Sequence, residues 1–484
     1  MRTRYIFCLL VICASFSSCK KDFLEVIPKG QQIAEKTEDY ALLMNNSTFY
    51  QYLNGGGWQA PVLMGDDVAA EATFFNSAPV QTQRLFRWDE VIYDQVTDVA
   101  SDLRLFLPQV YTSNLVINEV MGSKGGSEQQ KKALQAEALA TRAWIYFQLV
   151  NFYAKPYNAA TAGTDPGFPI ITKADAMESV FNRGTVQGTY DFIISDLVSA
   201  IENLPMENVI RTRFSKPAAQ ALLGKVYLFM GKPDLALPLL ESALANNASA
   251  ASPARLYDYN VTFAPGGSFL PIANNGPTSP GNNYNDFTES ILAKTFGNPF
   301  AFGNSGIIIS PETAALYSPS DLRLKFYSPT YNTGQPNPQG RLRKYGVSYS
   351  KFGVGLPELH LLIAESRARL NRLDAAVADL EAFRSKRMPA ADAKVPAAVA
   401  GDQNALIRFI FDERVREFAA EGYRWFDMRR MSVDPVFQGI TFTHKVYPAT
   451  ATAPVVYTMN QPDRLVLRIP PNIMVSNPGM ENNP

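Results

Sequence analysis

Histidine is nearly absent from this 484-residue chain: only His360 and His444 occur. Two imidazoles so far apart exclude a histidine-rich metal centre. Cysteine is as scarce. Cys8, Cys13 and Cys19 all fall in the first stretch of the chain, so the long body beyond them has no disulfide to staple it. Neither a Gly-x-Ser-x-Gly elbow nor a glycine-rich phosphate loop followed by lysine is present, which removes two common catalytic signatures. Charge is short as well. Asp, Glu, Lys and Arg make up 19% of the chain and balance to zero, against about 25% in an average globular domain. Such a chain has no net field to draw nucleic acid or anionic lipid. Asn, Gly, Pro, Thr and Tyr fill the gap, giving neutral hydrogen-bonding groups and amphipathic rings. The apolar run Tyr5 to Phe16 has only 12 residues, about 18 Å as a helix, too short for a bilayer core of roughly 30 Å.

That run follows Arg2 and Arg4 and leads through Ser17 and Ser18 to Cys19. A basic start, a short apolar core and a small-residue exit describe a secretory signal over residues 1–18. Cys19 would then open the mature chain as its only cysteine, the position of a lipid attachment site that holds the protein to a membrane. The alternative is ordinary cleavage near Ser17 or Ser18 with a free thiol. Removing residues 1–18 takes away two arginines and no acid, so the charge becomes −2.

Helical periodicity dominates the mature chain. Short helix 38–45 is followed by a glycine run, Asn54-Gly55-Gly56-Gly57, ending in Trp58. Asp66-Asp67 reads as a turn or helix cap rather than a metal site. Residues 88–120 read as helix interrupted at Pro108. The clearest helix is 127–152, where Ala136, Ala140 and Ala143 give a small-residue side and Leu139, Ile145, Phe147 and Val150 supply bulk. Small facing large lets helices approach and interdigitate. Helix 189–201 comes next. Residues 216–244 and 356–388 each read as a helix, a short turn and a second helix. Two such units resemble degenerate tetratricopeptide-type repeats, which complete their cores by stacking.

The stretch 246–355 has another texture, rich in Asn, Gly, Pro and Tyr, with short strands expected only at 290–294 and 306–309. It reads either as surface loops that carry binding or as variable packing around the scaffold. Helix 406–420 carries Asp412-Glu413-Arg414-Val415-Arg416-Glu417-Phe418, whose charge spacing describes a salt-bridged, solvated face. The expected fold class is therefore mainly α: a helix-pair scaffold with long inserted loops and few strands, in one domain spanning 19–484.

These residues resemble the SusD/RagB family of outer-membrane nutrient-binding lipoproteins. The resemblance begins at Cys19-Lys20-Lys21-Asp22-Phe23-Leu24 and continues through 135–143, 218–230 and Glu289-Ser290-Ile291-Leu292. Its most specific part is Glu413-Arg414 with Glu417-Phe418, then Glu421-Gly422-Tyr423-Arg424-Trp425-Phe426-Asp427-Met428-Arg429. Arg468-Ile469-Pro470 and Asn477-Pro478 look like its closing elements. Leu359-His360-Leu361-Leu362 departs from the family's more acidic helix start. The resemblance implies a lipid-anchored protein on the cell face of the outer membrane. It would partner a SusC-like TonB-dependent channel and bind oligosaccharide or polysaccharide, without cutting it and without a cofactor.

Sugar capture needs ring faces for C–H surfaces and planar polar groups for hydroxyls. The candidates are Trp58, Phe74, Phe75 and Trp88 with Asn76 and Arg84, and Tyr284, Asn285 and Phe287 in the loop-rich centre. Trp58 leads because of its glycine neighbours; Trp88, opening a helix, is equally a core residue. Trp144 and Trp425 read as packing, and His360 as a packed side chain. Glu413, Glu417, Glu421 and Asp427 are expected to pair with Arg414, Arg416, Arg424 and Arg429. Peptide cargo on the same scaffold, an enzyme with two close carboxylates of divergent pKa, and a lid that binds nothing, with Trp58, Phe75 and Trp88 buried or scattered, are the competing readings.

Overall fold

The structure is a computed structural model describing residues 34–52, 59–175, 177, 180–208, 210–270, 276–297, 306–331, 333–344, 349–450 and 453–484. The signal segment, Cys19 and Trp58 fall outside the described residues.

Among the described residues, ten helices form the frame. They are α1 (Thr37–Met44), α2 (Ser101–Glu119), α3 (Glu128–Tyr153), α4 (Val186–Asn203), α5 (Lys216–Phe229), α6 (Pro233–Ala248), α7 (Leu356–Arg369), α8 (Leu373–Arg384), α9 (Gln403–Phe418) and α10 (Tyr423–Met431). The start of α3 is set by a reciprocal cap. The Ser127 hydroxyl accepts the Gln130 N–H, and the Gln130 side chain accepts the Ser127 N–H, satisfying two amides that no helical turn can reach. Pro217 sits in the first turn of α5, where its missing N–H costs little.

The helices of 216–244 and 356–388 pair as the repeats predict, and a further pair precedes them. α3 packs on α4, α5 on α6 and α7 on α8; α4 touches α5 and α6 touches α7, so the pairs stack in chain order. Residue size decides how closely they approach. A Cβ on Gly224 of α5 would stand 2.7 Å from Leu240 of α6, so only glycine permits this spacing. α9 lies against α7, and α10 against α9. One continuous apolar core includes Phe147, Leu222, Leu240, Leu362, Ile410 and Trp425.

Three sequence expectations need correction. α2 starts at Ser101, not at Trp88: a separate helix, Val80–Arg87, ends with Trp88 in the left-handed region at φ 55°. Pro108 does not interrupt α2. Pro108 and Arg104, whose carbonyl loses its partner, both face solvent, so water replaces the missing bond. The charges of α9 are not a solvated face: Glu413, Arg414 and Arg416 are buried.

Strands are more numerous than expected, but each is short. In chain order they are β1 (Gln51–Tyr52), β2 (Val68–Glu71), β3 (Ser290–Leu292), β4 (Thr295–Gly297), β5 (Ile307–Ile309), β6 (Tyr327–Ser328), β7 (Arg343–Lys344), β8 (Tyr349–Lys351), β9 (Val354–Gly355), β10 (Thr443–Tyr447) and β11 (Val455–Thr458). They form sheets of order β1-β4-β8 and β11-β10-β2-β5 and the pairs β3-β9 and β6-β7. The register Tyr52↔Phe296 and Gly297↔Tyr349 sets β8 one strand away from β1. The strand that leads into residues 53–58 and the strand that carries Tyr349 thus share one sheet.

Candidate functional site

A cleft of about 890 Å³ opens between the loop-rich centre and the turn from α9 to α10. Its floor is ionic. Glu413, 0% exposed in its side chain, accepts hydrogen bonds from Arg323, Arg384 and Arg416. Burial pushes its carboxyl up, but the three guanidiniums override that and hold it down at about 2. Arg387, fully buried, donates to Glu417 at 2.8 Å, to Glu289 at 2.9 Å and to the Tyr257 carbonyl at 2.7 Å. A parallel layer lies behind. Arg414 reaches Asp427 at 2.7 Å and Glu358 at 3.2 Å, and Arg430 reaches Glu365 at 2.9 Å and Asp427 at 3.1 Å. The motif Glu413-Arg414…Glu417…Asp427 thus fastens α9 to α7, α8, α10 and the central insert.

Of the expected pairings Glu413–Arg416 and Arg414–Asp427 form; Glu417 is met instead by Arg323 and Arg387, Glu421 by Lys344, and two of the arginines go elsewhere. Arg424 turns away from the motif to Asp66 at 2.5 Å, which also accounts for half of the Asp66-Asp67 pair. Its neighbour Asp67 is buried and accepts the Ala420 N–H at 2.8 Å; burial lifts its carboxyl to about 6. Arg429 donates to the carbonyls of Leu465 and Ala154 rather than to an acid, and burial lowers it to about 10. It ties the C-terminal segment to the end of α3.

Glu289 and Glu417 come nearest to an acid–base pair. Both line the cleft, and burial raises the first while Arg387 and Arg323 outweigh burial and lower the second. The Arg387 guanidinium bonds both carboxylates, which makes them clamp residues. Both oxygens of Glu417 are taken by Arg323 and Arg387, and one oxygen of Glu289 accepts from Arg387 and from the Tyr257 N–H.

Above this floor the cleft changes character. Lys351 of β8 lies with its ammonium 5.4 Å from the Phe287 ring centre and 5.8 Å from that of Tyr349. Tyr284 meets Tyr349 edge-on at 5.9 Å and is 37% exposed. Asn285 is exposed beside them. The expected central candidates Tyr284 and Phe287, with Asn285 between them in sequence, therefore lie beside Tyr349 and Lys351 of β8, which line the cleft. Tyr349 and Lys351 carry no local signal in the sequence, because their placement depends on the β4–β8 pairing.

The N-terminal candidates divide. Phe74 is half-buried, and its ring stands 5.6 Å from that of Tyr331; Asn76 is exposed at the end of the same short helix, Ala72–Phe75. Tyr331 is not among the residues expected from the sequence, although Tyr331-Asn332-Thr333-Gly334 has the same aromatic-beside-turn pattern that singles out Trp58. Phe75 and Trp88 do not meet expectation: both are 5% exposed and have no open ring face. Phe75 packs on Phe86. Trp88 donates its indole N–H to the Met64 carbonyl at 2.9 Å and stacks on His444 at 3.9 Å, with Phe86 on the other face of the imidazole at 4.1 Å. The covering residue comes from β10, far along the chain. Arg84 is held by Asp94 at 2.9 Å and the Ile92 carbonyl at 3.1 Å. His360 packs near Phe383, and burial lowers it to about 4. Among the described residues no cluster of His, Cys, Asp and Glu is arranged to hold a metal ion.

Residues 22–228 match a family model described as SusD-like, starch-binding associating with outer membrane, and residues 356–484 match the model of the SusD family. A SusD-like protein P2 of Formosa agariphila is 23% identical over 376 residues, covering 68% of this chain and 71% of that protein. A SusD superfamily protein of Bacteroides thetaiotaomicron has a similar fold, with TM-score 0.72, 18% identity and coverage of 93% and 100%. A SusD-like carbohydrate binding protein of Bacteroides vulgatus aligns with TM-score 0.65, 16% identity and coverage of 92% and 97%.

Proposed function

The chain belongs to the SusD/RagB family, and from that premise we propose that it is a cell-surface glycan-binding protein serving a TonB-dependent outer-membrane uptake system. The observation that carries the reading is the match of both ends of the chain, 22–228 and 356–484, to models of one family. Cys19 holds the lipid that keeps the protein at the outer membrane, and a SusC-like channel receives the cargo. The ligand surface is built from the half-exposed rings of Phe74 and Tyr331 and of Tyr284 and Tyr349, with Trp58 in the segment after β1. Such rings cover the C–H faces of a sugar, and Asn76 and Asn285 are placed to meet hydroxyls. The protein captures and hands over; of the carboxylates that line its cleft, Glu417 is engaged by Arg323 and Arg387, Glu289 by Arg387 and Glu421 by Lys344, while Asp286 accepts from the Tyr257 hydroxyl.

One observation favours a second reading. Phe75 and Trp88 are buried, as a lid that binds nothing would have them. Against this stand the exposed ring pairs, which a bare lid has no need to keep at its surface.

The test is a binding screen of the chain from residue 20 onward against polysaccharides and peptides. Wild type, Trp58→Ala and the double substitution Phe74→Ala with Tyr331→Ala are run side by side. Glycan binding weakened at least about tenfold by either variant is expected, since each stacked aromatic contributes on the order of 1 kcal/mol or more. Peptide binding alone would replace the cargo, and silence across a broad panel would favour the lid.

A further inference from the structure

We propose that the cleft at β8 takes an acidic saccharide, whose carboxylate or sulfate ester is received by Lys351. This deepens the glycan-binding reading and rests on it.

Most of the charges that line the cleft are already met. Arg323 is bound by Asp321, Glu413 and Glu417. Arg416 is bound by Glu413, and Lys344 by Glu421. Lys351 differs. Its ammonium donates to one backbone carbonyl, that of Asn283 at 2.8 Å, and among the described residues it has no carboxylate within ion-pair distance. An ammonium has three N–H donors, so most of its capacity is unspent. Burial lowers the Lys351 pKa to about 7, while Asp286 and Glu421 raise it only in part. An ammonium in that position gains from any anion that enters.

A second donor stands nearby. Ser279 lines the same cleft and is buried, and its hydroxyl finds no acceptor among the described residues. Residues 280–282, directly after Ser279, pack against β8. An unpaired ammonium and an unspent hydroxyl on abutting elements suit a group with several oxygen acceptors. The rings of Tyr349 and Phe287 beside Lys351 offer apolar faces for the pyranose that carries it. The protein's overall field attracts no polyanion, so this selectivity is local, a single contact among stacked rings.

The experiment is calorimetric titration of the chain from residue 20 onward. The probes are an oligogalacturonate, a sulfated oligosaccharide, a neutral xylo-oligosaccharide, an oligoglutamate peptide and inorganic sulfate. At least one acidic saccharide is expected to bind. Lys351→Met should weaken it by about tenfold or more and Lys351→Arg by no more than about threefold, the scale of a charge-assisted hydrogen bond. Ser279→Ala should weaken it by roughly threefold. Added salt should weaken wild type but not Lys351→Met. Unchanged thermal unfolding of Lys351→Met checks that it folds, and Ser279→Ala tests the same contact if it does not. Acidic-saccharide binding indifferent to all three substitutions overturns the proposal, as does failure of both acidic saccharides to bind. Binding of the neutral oligosaccharide alone overturns it while leaving glycan capture standing. Binding of oligoglutamate alone overturns glycan capture too. Sulfate binding as tightly as the saccharides overturns the saccharide assignment.

Discussion

The α9–α10 motif and the central insert use the same kinds of residues for opposite ends. Around α9, the charges of the motif are each met more than once: Glu413 by three guanidiniums, Arg414 by two carboxylates, Arg387 by two carboxylates and a carbonyl. In the insert, rings stand half-exposed and Lys351 has a single carbonyl. The family models match residues 22–228 and 356–484 and pass over the stretch between. A charge that is fully met holds the fold, and a charge or ring left partly unmet is available to a ligand.

The largest effect should come from breaking the saturated side. Glu413→Ala leaves Arg323, Arg384 and Arg416 facing one another in the interior. A loss of about 3–5 kcal/mol is expected in denaturant unfolding, as when one partner of a buried ion pair is removed. A loss below about 1 kcal/mol would erase the contrast. Next comes acid. Glu413 and Glu365 are both held at about 2 against an ordinary 4.5. Their contribution is complete above about pH 4.5 and drains away as pH falls toward 2. A thermal-unfolding series from pH 6 to pH 2.5 should show a steep fall that Glu413→Gln makes shallower.

The same series run upward sharpens the contrast, because a buried acid without a cation behaves in reverse. Burial lifts Asp102 to about 6, with the Tyr153 hydroxyl and backbone N–H groups opposing it. Its favourable contribution is present below about pH 3.8 and is lost as pH rises through 6. Asp102→Asn should therefore stabilise the protein at pH 8, by at most about 3 kcal/mol, and not at pH 4. The smallest effect belongs to the ligand surface. Phe74→Ala with Tyr331→Ala should change stability by about 1 kcal/mol or less, as half-exposed side chains do, while altering binding.

How far these features are legible in the sequence depends on how local they are. Helix α3 is readable within a residue at each end, because its period and its Ser127 cap are written in consecutive residues. The strands are not. Strands of two to five residues carry too little periodicity, and pairings such as β2 with β10 join residues that are remote in sequence. The spacing of charges in α9 is visible, but its burial is not, since Arg323 and Arg384 arrive from elsewhere in the chain. The site is legible in texture only. Tyr284 and Phe287 stand out through their Asn- and Gly-rich surroundings. Trp88 looks available because nothing near it in sequence announces that His444 will cover it.

The contact of α6 with α7 has a consequence for how such a protein can change. These helices pack directly although residues 249–355 lie between them, so the insert leaves the stack and returns to it as a detour. Closing a detour costs little more when it is longer: each doubling adds only about 0.6 kcal/mol. Lengthening or shortening the exposed turns of this segment therefore costs the stack little, whereas its buried residues Ile291, Phe296, Ile309 and Phe326 belong to the same core and must be kept. The insert is latched to the frame by several ion pairs, among them Arg323–Glu413, Arg387–Glu289, Lys344–Glu421 and Arg341–Glu71, and a new ligand preference can be acquired by changing its exposed turns without reinventing the frame.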